Sequence, residues 1–523
     1  MSRVPALWRA NIIVFIGSFC VMVIELIAGR ILAPHIGVSL YTWTSIIGVI
    51  LAGIALGNYL GGKVADKYPS PLLLAGLFVI GGLLTIGILP ATKMVSSAYW
   101  LIKLPVMWNF TLTTGFIFLL PAIILSMVSP MVIKLTLADL GRTGGIVGTI
   151  YACSTAGSIL GTFMTGFYFI LWFGTGLTVW LVAAVLILTG IIAWFSWKIP
   201  NRWRFSVKNL VIWLVVFEVV ASYLYLYQIK EKWLETYTAE SNYYAIKVEQ
   251  GTDTTKLLVL DKLIHSYSDV ANPEILMVNY IKVFSEIVRY LALDNPAPRL
   301  LHLGGGGYAF PRYLEAVYPD SINEVVEIDP MVTQVAHREL GLSSNTSIKT
   351  YNQDARRFLI QRDSSQKYDI VIGDVFNDLS TPYHLTTVEF DKLVRANMTE
   401  DGIYLVNVVD DFQQGRYLPS FCYTLSHAFN HVYIFNMGGG WENISMSAFV
   451  IAATDRPLNL TDYRKFITDD GKKLSFGNPY DEDALDAYLS ARTPILLIDD
   501  YAPTDILVAS LFKEIYSEYK SAH

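Results

Sequence analysis

The chain has 523 residues, of which 53% are hydrophobic and only 16% charged, against about 25% charged in an ordinary soluble protein. Its mean hydropathy of +0.42 means that part of it avoids water, and the formal net charge of −6 gives no basis for a nucleic-acid partner. The three cysteines, Cys20, Cys153 and Cys422, are too dispersed for a disulfide framework or a cysteine metal site.

Charges are sparse from Ala10 to Ile229 and ordinary from Lys230 onward. Crossing a bilayer takes about 20 apolar residues. Seven such runs are expected at 10–32, 42–62, 71–90, 109–133, 145–170, 174–196 and 209–228. The first is too long for a cleaved signal peptide and contains Glu25 and Arg30. Small residues recur every four positions at Gly53, Gly57 and Gly61, and again at Gly157 and Gly161. That spacing lines one helix face and predicts close backbone packing. Glu25 and Glu218 lie inside apolar runs, where a charge is costly. Pairing of Glu25 with Arg30 and a role in cation movement are both open. Pro130 predicts a bend in the fourth helix.

The soluble part begins with a strand-like stretch from about Glu235 to Leu260, and a helix is expected over 274–293. Beyond Pro296 and Pro298, strands and helices alternate: RLLHL, FPRYLEAVY, NEVVEID, MVTQVAHREL, YDIVIGDVF. Such alternation predicts a parallel sheet covered on both faces, with ligands beyond the carboxyl ends of its strands. Three domains follow: transmembrane helices over 1–230, a small β module with a linking helix over 231–295, and an α/β Rossmann-like, methyltransferase-type domain over 296–523.

Candidate chemistry sits at those strand ends. Gly304, Gly305 and Gly306 follow the first strand and allow a tight turn close to a ligand. Glu327 closes the next strand, where a carboxylate can accept hydrogen bonds from ribose hydroxyls. Gly304-x-Gly306-x-x-Ala309 also fits a dinucleotide fingerprint, so an NAD reading stands beside it. Asp354, followed by Ala355, is either an acceptor for an adenine amino group or a helix N-cap. Asp374 and Asp378 could bind an amine or take its proton. His384, in TPYHLTT, is either a substrate contact or an ordinary loop histidine.

In this order the motifs resemble the spermidine synthase family of aminopropyltransferases, over about 235–510. The matching pieces are ESNYYAIKV, LLVLDKLIHS, LLHLGGGGYAFPRYL, VVEIDP, NQDARRFL, YDIVIGDVFNDLSTPYHLTTVEF and LLIDDYAPTD. The resemblance extends into the helices through ELIAGRILAPHIGVSLYTWTSIIGVILAGIALGNYLGGKVAD, as in membrane-fused transporter/spermidine synthase proteins. Within it, GNYLGGKVADKY is similar to a loop of major-facilitator transporters, although six or seven helices make half of one.

The resemblance implies an enzyme that transfers the aminopropyl group of decarboxylated S-adenosylmethionine to an amine and releases methylthioadenosine, without a metal. Gly304, Gly305, Gly306 and Glu327 would then hold the nucleoside, Asp354 with Ala355 the adenine, and Asp374 with Asp378 the attacking amine. His265, Tyr280, Tyr308 and His384 would be substrate contacts. The sequence departs from the family's G-G-G-D-G at Gly307-Tyr308, from D-x-x-D at Asn377, and from its substrate-contact helix at Tyr280-Ile281-Lys282. Two alternatives therefore stand beside aminopropyl transfer. One is an enzyme of intact S-adenosylmethionine (a lyase, a 3-amino-3-carboxypropyl transferase or a methyltransferase), and the other is a non-catalytic membrane sensor or transporter.

The expected partners are a lipid bilayer, a small amine or polyamine, and a second copy of the chain. A multi-pass cell-membrane location follows, but its sidedness is contested. With seven spans, ten lysines and arginines between Arg3 and Lys208 fall on one side, against Lys93, Lys103, Lys230 and Lys232 on the other. That count places the soluble domain outside, whereas S-adenosylmethionine is made in the cytosol.

Overall fold

The computed structural model describes residues 7–37, 39–96, 101, 104–137, 143–196, 237–363, 365–376, 381–438, 441, 444, 446–469 and 477–509. The chain divides into two compact units, with the break between residues 235 and 246.

The first unit is helical: α1 (Leu7–Ile36), α2 (Leu40–Lys67), α3 (Pro71–Ser96), α4 (Val106–Ser126), α5 (Val128–Thr136), α6 (Thr143–Met164) and α7 (Ile170–Ser196). Among the described residues, six stretches are long and apolar enough to cross a membrane, and α4 and α5 together form one of them. The seventh expected run, 209–228, and Glu218 within it lie outside the described residues. The α4–α5 break falls at Met127, three residues before Pro130. Proline lacks the N–H that would have bonded the carbonyl four residues back, and its ring crowds that turn. A π-helical turn, Thr165–Phe169, joins α6 to α7, where Gly174 is non-helical at φ 68°. Among the described residues, no ion pair joins Glu25 to Arg30.

The spaced glycines pack backbones together. A Cβ on Gly57 of α2 would lie 2.4 Å from the Ile123 carbonyl oxygen of α4, and one on Gly53 would lie 2.6 Å from Ala122 Cβ. Across the α1–α6 contact, Cβ atoms on Gly157 and Gly161 would lie 2.3 and 2.6 Å from the carbonyl oxygens of Phe15 and Phe19. Small residues at this spacing let two helix backbones approach closely enough for their main chains to pack.

The second unit opens with a four-stranded sheet in the order β1 (Tyr237–Glu240), β2 (Ala245–Gln250), β3 (Thr255–Leu260), β4 (Leu263–Asp269). Helix α8 spans Asn279–Leu291, shorter than the expected 274–293. Its apolar face, Ile281, Phe284, Ile287 and Val288, is buried against Leu300, Ile372, Leu405 and Phe435 of the large sheet. That sheet contains β5 (Arg299–Leu303), β6 (Ile322–Val326), β7 (Lys349–Tyr351), β8 (Tyr368–Gly373), β9 (Met398–Asp411), β10 (His431–Asn436), β11 (Met446–Thr454) and β12 (Asn478–Pro479).

The strand order is β12-β10-β11-β9-β8-β5-β6-β7. From β7 to β9 all neighbours are parallel, and β11 then enters antiparallel between β9 and β10. This is the expected Rossmann-like, methyltransferase-type sheet. The chain runs from β5 outward to β6 and β7, then returns to the other side of β5 as β8. That reversal opens a crevice beyond the ends of β5 and β8, where Leu303 lies opposite Gly373.

The packing reading predicts a contrast between adjacent glycines. Gly57→Leu should lower the thermal midpoint of the detergent-purified chain by about 5 °C or more. Gly62→Leu should leave it within about 1 °C, since a Cβ at Gly62 meets nothing within 4 Å.

Candidate functional site

The glycine run caps β5 and is held by its neighbours. Gly304 and Gly306 have φ of 93° and 47°, a region closed to most residues with side chains. A Cβ on Gly304 would lie 2.4 Å from the Asp374 carbonyl oxygen, because the β5 and β8 ends abut there. Glu327, buried at the end of β6, fixes the turn. Its Oε2 accepts hydrogen bonds from the Gly305 and Gly306 amides at 2.9 and 3.1 Å, and its Oε1 accepts one from Asp329 N at 2.9 Å. Burial raises the Glu327 carboxyl above its ordinary value, and the three amides oppose that rise.

Asp374 follows β8 directly. Its Oδ2 accepts from the Tyr280 hydroxyl at 2.9 Å and its Oδ1 from Asn407 Nδ2 at 3.1 Å. Burial raises its carboxyl, while both hydrogen bonds pull the other way. Since Asn407 donates its amide N–H to Asp374, its Oδ1 is the atom left over, and this buried oxygen has no hydrogen-bond partner among the described residues. Such an orphan calls for an explanation.

Asp374, Asn407, Tyr280 and the glycine run line one cavity of about 230 Å³, together with His265, Ser266 and His302. Burial lowers both imidazoles to about 4, so they are neutral at pH 7. Among the described lining residues, Asp374 is the one carboxylate.

The remaining expected residues divide. Asp354 is the N-cap of α11 (Ala355–Gln361), accepting from Arg357 N at 2.9 Å, and Ala355 is the buried first residue of that helix. The other Asp354 oxygen lies 2.9 Å from His384 Nε2, and that bond holds its carboxyl below the ordinary value. His384 thus sits beside Asp354 rather than on the cavity wall. Arg356 braces the pair, donating to the His384 carbonyl and to both Asp499 oxygens at 2.7 and 2.6 Å.

Tyr308 is corrected as a substrate contact. Its side chain is fully buried, and its hydroxyl lies 3.0 Å from Thr333 Oγ1 and 3.2 Å from Thr350 Oγ1, away from the cavity. Its backbone is left-handed, at φ 57°. Asp378 lies outside the described residues.

Sequence reasoning missed His302, Asn407 and Ser266. The first two carried a signal, each being a lone polar residue inside an apolar strand, RLLHL and YLVNVV.

No family model matches the chain. A polyamine aminopropyltransferase from Vibrio vulnificus is 35% identical over 117 residues, 22% of this chain and 39% of that protein. An eEF1A lysine and N-terminal methyltransferase from Bos taurus is 28% identical over 128 residues, 23% of this chain and 18% of its own length. The chain therefore spans well under half the length of either relative. A probable spermidine synthase from Corynebacterium glutamicum, of known structure, aligns over 51% of this chain and 97% of its own, at 22% identity and a TM-score of 0.45. By sequence, a stretch of this chain is similar to polyamine aminopropyltransferases.

Proposed function

We propose that this chain is a membrane-anchored transferase of the spermidine synthase type. It binds an S-adenosylmethionine-type sulfonium nucleoside, transfers the donor's three-carbon, amine-bearing chain to an amine nitrogen, and releases methylthioadenosine. The observation that carries this reading is that Asp374 opens into the same cavity as the glycine turn tied to Glu327. The six long apolar helices supply the anchor.

In this reading Glu327 and the glycine turn receive the nucleoside, and Asp354, now capping α11 and paired with His384, is the acceptor assigned to its base. The acceptor amine sits against Asp374, which Tyr280 and Asn407 hold in place. The amine nitrogen attacks the methylene carbon beside the sulfonium. A C–N bond forms, the C–S bond breaks, and its electron pair neutralises the sulfur. The amine's surplus proton passes to the Asp374 carboxylate. Because the sulfonium is already a good leaving group, positioning and proton removal are the main tasks left to the protein. Methyl transfer to an amine is the second reading, favoured by the likeness to the Bos taurus lysine methyltransferase.

Two outcomes test this. Purified full-length protein given donor and diamine should form methylthioadenosine, and Asp374→Asn should slow this by about 100-fold or more. S-adenosylhomocysteine in place of methylthioadenosine would establish methyl transfer instead. The second concerns pH. Asp374 works as a carboxylate, so kcat/KM should rise with pH through its raised pKa. The Tyr280 hydrogen bond favours the ionised form, so Tyr280→Phe should move the acidic limb upward by roughly 0.5–1 pH unit. An unmoved or lowered limb would separate Tyr280 from the ionisation that matters.

A further inference from the structure

Helix α12 (Val388–Ala396) buries Val388, Phe390, Asp391 and Val394, and it packs against β9 and α13 (Tyr417–Leu425). Asp391 is the polar member of this face. It has no exposed surface, and neither carboxyl oxygen has a hydrogen-bond partner among the described residues. The cavity of about 10 Å³ that Phe390 and Tyr404 help to line does not have Asp391 on its wall. An ionised carboxyl in such a place is strongly disfavoured, and keeping its proton removes most of the cost.

Two effects compete for that proton. Asp391 lies in the first turn of α12, whose positive end favours a carboxylate. That attraction is typically worth less than about one pH unit, whereas full burial moves a carboxyl by about 3–5. The amides of the turn are also engaged elsewhere: Phe390 N donates to Thr387 Oγ1, and Asp391 N to the Thr387 carbonyl. The titratable groups facing Asp391 are Tyr404 on β9, Tyr417 on α13 and Glu389 on its own helix. Burial raises both phenols, so they are neutral, and Glu389 adds repulsion. Arg356 and His384, on the elements at the start of α12, are bound to Asp499 and Asp354 instead. None of these groups offers Asp391 a counter-charge.

The seat of α12 matters to the site at two points. The Tyr404 hydroxyl backs the end of β8, since a Cβ on Gly373 would lie 2.8 Å from it, and Asp374 is the next residue. Thr387, the N-cap of α12, donates to Asp499 at 2.7 Å. Asp499 in turn holds the Arg356 that braces the Asp354–His384 pair. We infer that Asp391 is a proton-held lock on this arrangement: it stands protonated at neutral pH, and losing that proton in alkaline solution unseats α12 and both contacts with it.

Burial raises the Asp391 carboxyl well above its ordinary value. The folded chain therefore keeps a proton that the unfolded chain has released. Stability falls as pH climbs from the ordinary carboxyl range toward the folded value, by up to about tenfold in the folded-to-unfolded ratio per pH unit. Infrared spectra of the full-length protein in detergent test this, because they report protonated carboxyls and, through the amide band of β-sheet, the melting of the second unit. At pH 7 the wild type should show a protonated-carboxyl component that is missing in Asp391→Asn and in Asp391→Leu. Between pH 6 and 9 the melting temperature of the sheet should fall more steeply for the wild type than for either variant. Leucine completes the apolar face of α12, so it keeps a folded comparison should the unpaired amide of asparagine prevent one. A wild type without that component at pH 7, or variants that melt with the same pH dependence, would overturn the inference.

Discussion

The Glu327 carboxylate holds two parts of the site in one shape. One of its oxygens receives the amides of Gly305 and Gly306, while the other receives the amide of Asp329, the N-cap of the helix after β6. Burying a carboxylate costs several kcal/mol unless it is hydrogen-bonded, and charge-assisted bonds of about 1.5–3 kcal/mol each offset that cost. The glycine turn has left-handed positions at Gly304 and Gly306, which the chain would otherwise leave easily. Tying it to β6 keeps the mouth of β5 open next to β8. Asp374 depends on the same frame, since its amide donates to the Leu303 carbonyl just before the turn. Displacing the turn would displace the carboxylate as well.

The second polar network is built on a similar economy. Asp374 uses one oxygen for Tyr280 of α8 and the other for Asn407 of β9. Helix α8 can hold Tyr280 there because the face it shares with Phe284 and Ile287 is sunk in the core of the large sheet. Neutral His265 and His302 leave this carboxylate as the charge that sets the cavity's preference among its described lining residues. The site therefore favours cationic or N–H-rich groups on that side.

Much of this was legible along the chain, for reasons that differ by residue. Six of the seven membrane runs announce themselves because a helix crossing lipid must be apolar for about 20 residues. The glycine run, Glu327 and Asp374 are legible because they end strands, and strand ends are where such sheets bind ligands. Asp354 reads along the chain as either an adenine acceptor or an N-cap; the cap is seen, whereas its pairing with His384, 30 positions away, depends on how two loops return to one place. Asn407 and His302 look like blemishes in buried strands until strand order puts them beside Asp374 and the glycine turn. Tyr308 misled because a residue inside a ligand-binding motif can point inward, and here its hydroxyl is anchored by Thr333 and Thr350. Its left-handed backbone turns it away from the cavity and into the start of α9 (Ala309–Val317).

The account stands or falls on whether Glu327 and its glycine turn hold a nucleoside. The most direct measurement is the dissociation constant of methylthioadenosine for the wild-type chain and for Glu327→Gln, with unfolding profiles to show that both are folded. The variant keeps the shape but exchanges one acceptor oxygen for a donor, and should bind at least about tenfold more weakly. Equal affinity in two folded proteins would contradict the account and move the ligand site elsewhere.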